Sequence, residues 1–169
     1  FAKKYNSDMY RKLVFLVDSM CRISEFSGIT WNDIDMKEKM ITIDHQLQYK
    51  KYLNEEHSSF HIAETKGKEV RFIPMTQRLY NVLKDMRTYY FITRKDFEID
   101  GVKDFIFFSA SGSLIHADQF RGELLRLLDS YNKIAKNKID YLTPHMLRHT
   151  GCTRNAENGM DLKVLQYLM

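Results

Sequence analysis

Between Met40 and Pro74 the sequence leaves helical spacing, and this interruption limits the folds open to the chain more than any other feature. "MITIDHQLQY" (Met40 to Tyr49) is rich in β-branched residues and reads as a strand. A second strand is expected over Phe60 to Thr65 and a third over Glu69 to Pro74. "KGK" (Lys66 to Lys68) joins these two as a hairpin, with Gly67 supplying the turn. Helical patterns flank the block on both sides. The order predicts an α+β domain, mainly helical, with a small three-stranded antiparallel sheet.

Ser7 reads as the N-cap of a helix whose apolar stripe is Met9, Leu13, Leu16 and Val17. "RISEFSG" continues as a short helix with Ile23 and Phe26 inward, and Gly28 fits its stop. After the strands, Thr76 caps "QRLYNVLKDMRTYYFITR", with Leu79, Leu83, Met86 and Tyr90 on one side. "DFIFFS" (Asp104 to Ser109) is a short buried extended piece, and "ADQFRGELLRLLDSYNKIAK" is another amphipathic helix. Thr143 and Pro144 start a helix through about Glu157, ended by Asn158 and Gly159, and Asp161 starts a last one.

At 169 residues, 44% apolar and 28% charged, the chain is expected to form one globular domain. No apolar run approaches the roughly 18 residues of a membrane span, and no signal peptide is visible. Cys21 and Cys152 lie far apart, outside any C-x-x-C pattern, and read as reduced thiols of an intracellular protein. The net charge of +4 permits a nucleic-acid partner without demanding one. The chain begins at Phe1 and reads as a piece of something longer.

"TPHMLRHT" (Thr143 to Thr150) carries the densest chemistry. A helix start already presents free N–H groups and partial positive charge, so a carboxylate is the ordinary choice there. His145, Arg148 and His149 occupy one face instead, an arrangement that makes sense if an anion such as phosphate sits against it. The plain alternative is two core histidines and a solvated arginine. Zinc at His145 and His149 is weaker, because Met146 stands where the metalloprotease motif has Glu. Arg22 and Glu25 are spaced to pair, either on the surface or to hold the guanidinium rigid for a phosphate oxygen. Lys66, at the hairpin tip, is either solvated or placed to give a proton to a leaving oxygen.

Together these motifs resemble the catalytic domain of the tyrosine recombinases, the phage integrase family. "RISE" (Arg22 to Glu25), "TK" (Thr65, Lys66) followed by "RFIPM", and "HMLRH" (His145 to His149) fall in the family's order. "ITIDHQLQ", "TPHMLRHT" and "LQYLM" are similar to integrases of conjugative transposons from Gram-positive bacteria, and the resemblance runs from about Asp8 to Met169.

The resemblance implies a DNA strand transferase for site-specific recombination of a mobile element, a transposon or prophage. A tyrosine hydroxyl attacks a phosphodiester, forming a 3′-phosphotyrosyl link and freeing a 5′-hydroxyl, with no metal or other cofactor. Arg22 and Arg148 would clamp the non-bridging oxygens, His145 would bond the same phosphate and help take the tyrosine proton, and Lys66 would protonate the leaving oxygen. Glu25 and His149 would support them, His149 by buttressing the helix, and Thr65, Lys68 and Arg71 are expected near the DNA backbone. Expected partners are double-stranded DNA and, in a tetramer, further copies of the protein; the expected location is cytoplasmic, on DNA and away from membranes.

Two departures stand out. Cys21 precedes Arg22 where many relatives have Gly, and the chain ends before the family's Gly-His pair and nucleophilic tyrosine. Residues 1–169 are thus expected to be a catalytic domain lacking its nucleophile and its N-terminal DNA-binding domains, inactive alone. Tyr167 is read as a helix-packing residue. The alternatives are a non-catalytic DNA-binding fragment, a type IB topoisomerase-like relative and, remotely, a metalloenzyme.

Overall fold

In the computed structural model, which describes residues 1–93 and 96–169 except for the side chains of Phe91 and Thr93, the chain opens with a single turn, α1 (Ala2–Tyr5), and a long helix, α2 (Ser7–Ser19). The cap of α2 is Asn6, one residue before the expected Ser7: the Asn6 side-chain oxygen accepts from the Met9 N–H at 3.0 Å. Phe15 and Leu16 are fully buried, with Met9 and Val14 beside them, so the buried face is wider than the expected stripe. Met20, in the left-handed region at φ 53°, ends the helix and turns the chain into α3 (Ile23–Gly28).

Phe26 on α3 stacks on Phe107 at 4.3 Å between centroids and leans on Phe120 at 5.5 Å. Gly28 does not serve as a left-handed stop. The next residue, Ile29, has φ −60°, and a Cβ on Gly28 would lie 2.8 Å from the Leu47 main-chain nitrogen. Gly28 is therefore needed for the close approach of α3 to a strand.

The strand block differs most from expectation. The single strand over Met40 to Tyr49 is two, β2 (Met40–Ile43) and β3 (His45–Lys50), bent at Asp44, after a short β1 (Ile34–Asp35). β4 (Ser59–Glu64) pairs only with β3, and β5 (Arg71–Pro74) with β2, so the β4–β5 hairpin does not form and the strands divide into sheets β1-β2-β5 and β3-β4. Ile43 faces Arg71 while His45 faces Glu64, leaving residues 65–70 looped out opposite Asp44 alone. Within that excursion the Lys68 N–H donates to the Thr65 carbonyl at 2.9 Å. Lys68, not Gly67, takes the left-handed position, at φ 56°. Local turn signals found the excursion; the long bent partner strand decided the pairing.

Thr76 caps α4 (Gln77–Thr93) as expected, its hydroxyl accepting from the Leu79 N–H at 3.1 Å. Leu79 and Leu83 are fully buried, whereas the expected last residue of this helix, Arg94, lies outside the described residues. Phe105 to Phe107 run extended and buried, bridged to Thr30. Beyond them, α5 (Ala117–Asn132) buries Phe120 and Leu124. Lys12 of α2 is fully buried and spans Asp8 at 2.7 Å and Glu123 of α5 at 2.8 Å. Two C-terminal helices, α6 (Pro144–Glu157) and α7 (Leu162–Leu168), close the fold. Among the described residues no helix is long and apolar enough to cross a membrane.

Candidate functional site

Arg22 sits at the N-cap of α3, where its extended backbone and the first turn bring Glu25 back onto it. The Arg22 main-chain N–H donates to Glu25 Oε2 at 2.8 Å, and its Nη1 donates to Oε1 at 2.8 Å. Glu25 is buried, while about a third of the Arg22 side chain remains open to solvent. Pairing with a rigid carboxylate leaves the rest of the Arg22 fork free to act outward.

Arg71 arrives from β5, its Nη2 2.7 Å from Glu25 Oε2. It shares the inward face of the strand with Ile73 and is buried. Arg148 arrives from α6, also buried, with Nη2 donating to the Met169 carbonyl. Gly151 allows that approach: a Cβ there would lie 2.0 Å from the Val17 carbonyl oxygen of α2. Burial first, then the Arg22 charge, pulls the Arg148 guanidinium below its ordinary value, with Arg71 acting the same way and Glu25 opposing. Arginine nonetheless stays protonated in proteins.

Two guanidinium groups thus pair with one carboxylate and a third, Arg148, lies within electrostatic range of it, leaving uncompensated positive charge in a largely buried place. Arg71 Nε and Arg148 Nη1 are buried donors with no partner. Buried polar groups are almost always satisfied, and a buried charge without its counter-ion is costly. An anion carrying several acceptor oxygens would answer both deficits.

The sequence-predicted residues divide accordingly. Arg22, Glu25, Arg71 and Arg148 come together. His145 and His149 are exposed on α6 and bond to each other, Nε2 to Nε2, at 2.8 Å. Arg148 turns inward while both histidines stay outside, so the single face expected for the three is divided between core and solvent. Thr143 caps α6 as expected, accepting from the Met146 N–H at 3.3 Å. Lys66 is exposed on the excursion and, among the described residues, makes no ion pair. Thr65 is buried and bonds the Glu69 carbonyl at 3.2 Å, and Lys68 is exposed, 3.5 Å from Glu64. Tyr167 on α7 is half exposed, its hydroxyl accepting from the Phe72 N–H at 3.4 Å.

Sequence reading missed the bond from Arg71 to Glu25. The signal was present in "RFIP", where strand alternation puts Arg71 on the same side as Ile73. It also missed Gly151, which nothing local marks. Cys21 lies against the cluster, fully buried, its thiol pushed up to about 12 by burial and so held protonated. For zinc, His145 and His149 lack a third donor within ligand spacing among the described residues; the one group with such spacing is Asp33, Asp44 and His45.

The phage integrase family profile matches residues 2–169. The chain belongs to the phage integrase family. It is 36% identical over 172 residues to the transposase of transposon Tn916 from Enterococcus faecalis, covering 99% of this chain and 40% of that protein. It is 26% identical over 157 residues to the tyrosine recombinase XerC of Thermodesulfovibrio yellowstonii, covering 93% of this chain and 44% of that protein. Among solved structures, the Tn1549 transposon integrase in complex with a circular intermediate DNA superposes with a TM-score of 0.86 at 34% identity, over 98% of this chain and 51% of that one. The XerA recombinase superposes at 0.68 with 20% identity, over 99% of this chain and 50% of that one, a likeness of fold. The integrase domain therefore spans about 40% of the length of the transposases it matches.

Proposed function

We propose that this integrase domain is the catalytic part of a recombinase that moves a conjugative transposon or similar element by cutting and rejoining double-stranded DNA. The observation that carries the reading is the pair of unpartnered buried donors, Arg71 Nε and Arg148 Nη1, beside the Arg22–Glu25 pair. A phosphodiester supplies the missing acceptors and the missing negative charge together.

The chemistry follows from that placement. As the tyrosine oxygen bonds to phosphorus, negative charge grows on the non-bridging oxygens, and the bonds from Arg22 and Arg148 strengthen with it. The phosphorus–O5′ bond breaks, and the Lys66 ammonium protonates the departing oxygen from its exposed turn. His145 bonds the same phosphate and takes the tyrosine proton. Glu25 keeps Arg22 aligned; Thr65 shapes the base of the excursion, Lys68 lies toward the DNA backbone, and Arg71 holds Glu25 from within and offers Nε to the phosphate. The bond energy is kept in the 3′-phosphotyrosyl link, so a 5′-hydroxyl from another strand reverses the step without ATP.

The attacking tyrosine and the N-terminal DNA-reading domains lie outside residues 1–169 in this reading. The full-length protein works in the cytoplasm as a homotetramer on paired sites, away from membranes. The relatives solved with transposon DNA support the choice of partner. The test is trapping on a nicked suicide DNA substrate with the full-length protein. A covalent adduct is expected, and none from Arg148→Ala; an intact protein that forms no adduct on its own site would reject strand transfer.

A further inference from the structure

We propose that His149 is the proton acceptor behind His145, so that the two imidazoles of α6 act as a relay; the inference rests on the strand-transfer reading above. The Nε2 atoms lie 2.8 Å apart, with ring centroids at 4.3 Å and planes at 84°. Both residues are exposed, and among the described residues neither ring has another hydrogen-bond partner.

A nitrogen–nitrogen bond of this kind exists only when one Nε2 carries hydrogen and the other offers a lone pair. Two fully protonated rings would present N–H against N–H and repel. The pair therefore shares a single proton at its contact. Because both Nε2 atoms are committed to each other, Nδ1 is the nitrogen of His145 left for the substrate.

The proton movements then balance. The tyrosine oxygen–phosphorus bond forms and the phosphorus–O5′ bond breaks. The tyrosine proton passes to His145 Nδ1, while the proton already on His145 Nε2 crosses to His149 Nε2. Lys66 supplies the proton taken by O5′. His145 ends neutral, with Nδ1–H directed at the phosphate, so one ring serves first as base and then as donor. The positive charge comes to rest on His149, one helical turn further from the N-terminus of α6. In the rejoining step each proton retraces its path. His149 touches no reacting atom and acts through His145 as a positioning residue.

The test uses the full-length protein, a nicked suicide DNA and single-turnover adduct formation. His149→Gln can keep a hydrogen bond to His145 but cannot carry the proton onward, whereas His149→Ala opens a space for added imidazole. Both variants should bind DNA as the parent does and form adduct on the order of 10²-fold more slowly. Imidazole should restore His149→Ala, and substituted imidazoles should do so in order of their basicity. Parental rates in His149→Gln, or a His149→Ala defect indifferent to imidazole basicity, would mean His149 is a brace only and would overturn the relay. A catalysis-free readout separates this failure from that of the recombinase reading. With histidine ¹⁵N labelling, one protonated and one bare Nε2, coupled across the hydrogen bond, are expected, and two independent rings would overturn the inference whether or not the parent forms adduct.

Discussion

Arg71 Nη2 lies 2.7 Å from Glu25 Oε2, the same oxygen that accepts the Arg22 main-chain N–H. One carboxylate therefore pins a strand, a helix start and the partly exposed Arg22 to one another. Replacing Glu25 by Gln removes the negative charge at the centre of the cluster and halves its accepting oxygens. Breaking a buried pair from one side typically costs about 3–5 kcal/mol, because the partner charge stays buried. Glu25→Gln should melt well below the parent, and sulfate, by occupying the cluster, should recover part of the loss where chloride does not. Equal melting temperatures in the two salts would contradict a bound-anion role.

Arg71→Lys separates holding Glu25 from donating to an anion. A lysine ammonium can reach one oxygen but has no second, differently aimed donor to replace Nε. Adduct formation should fall on the order of 10²-fold, the scale of losing one oxyanion donor. Gel-shift affinity for duplex DNA should change little, because the exposed lysines remain. A parallel loss of binding and cleavage would instead mark Arg71 as a simple DNA contact.

How far the fold could be read in advance depended on the range of the interaction involved. Thr143, Pro144 and Asp161 act within a single turn, so their helix starts were legible from adjacent residues. The partners of β4 and β5 were not, because pairing with a bent strand depends on distant chain and overrides the attraction of a nearby Gly. At the site, Arg22, Glu25 and Arg148 were legible by motif. Arg71 required the alternation of its own strand to be carried to its conclusion, since an inward arginine needs a buried acid. Gly28 and Gly151 are set by main-chain approach between elements remote in sequence, which leaves no local pattern.

Gly151→Ala tests that approach. The added methyl would fall 2.0 Å from the Val17 carbonyl oxygen and 2.8 Å from Met20 Cγ, so α6 must withdraw from α2. Overpacking of this kind costs about 1–3 kcal/mol. The displacement also carries Arg148 away from Arg22, so adduct formation should fall by more than the lost stability explains at temperatures where the variant is folded. A variant with a lowered melting temperature and unaltered cleavage would show that α6 tolerates the shift.

Cys21 gives the pH prediction. Burial holds its thiol near about 12 against an ordinary value of 9.0, so the folded chain binds this proton more tightly than the unfolded chain. The sign follows: the contribution is complete below 9.0 and is lost as pH climbs through the interval up to about 12, where the unfolded chain releases its proton first. Lysines and tyrosines titrate in the same range, so the useful measurement is a difference. The stability gap between the parent and Cys21→Ala, measured by denaturant unfolding, should narrow between pH 8 and pH 10, intervals chosen to straddle the unfolded thiol. The same burial predicts that iodoacetamide at pH 8 labels the half-buried Cys152 in the native protein and reaches Cys21 only after unfolding. Labelling of Cys21 at the rate of Cys152 would mean that the wall behind Arg22 opens, and with it the rigid frame that holds Arg22 beside Glu25.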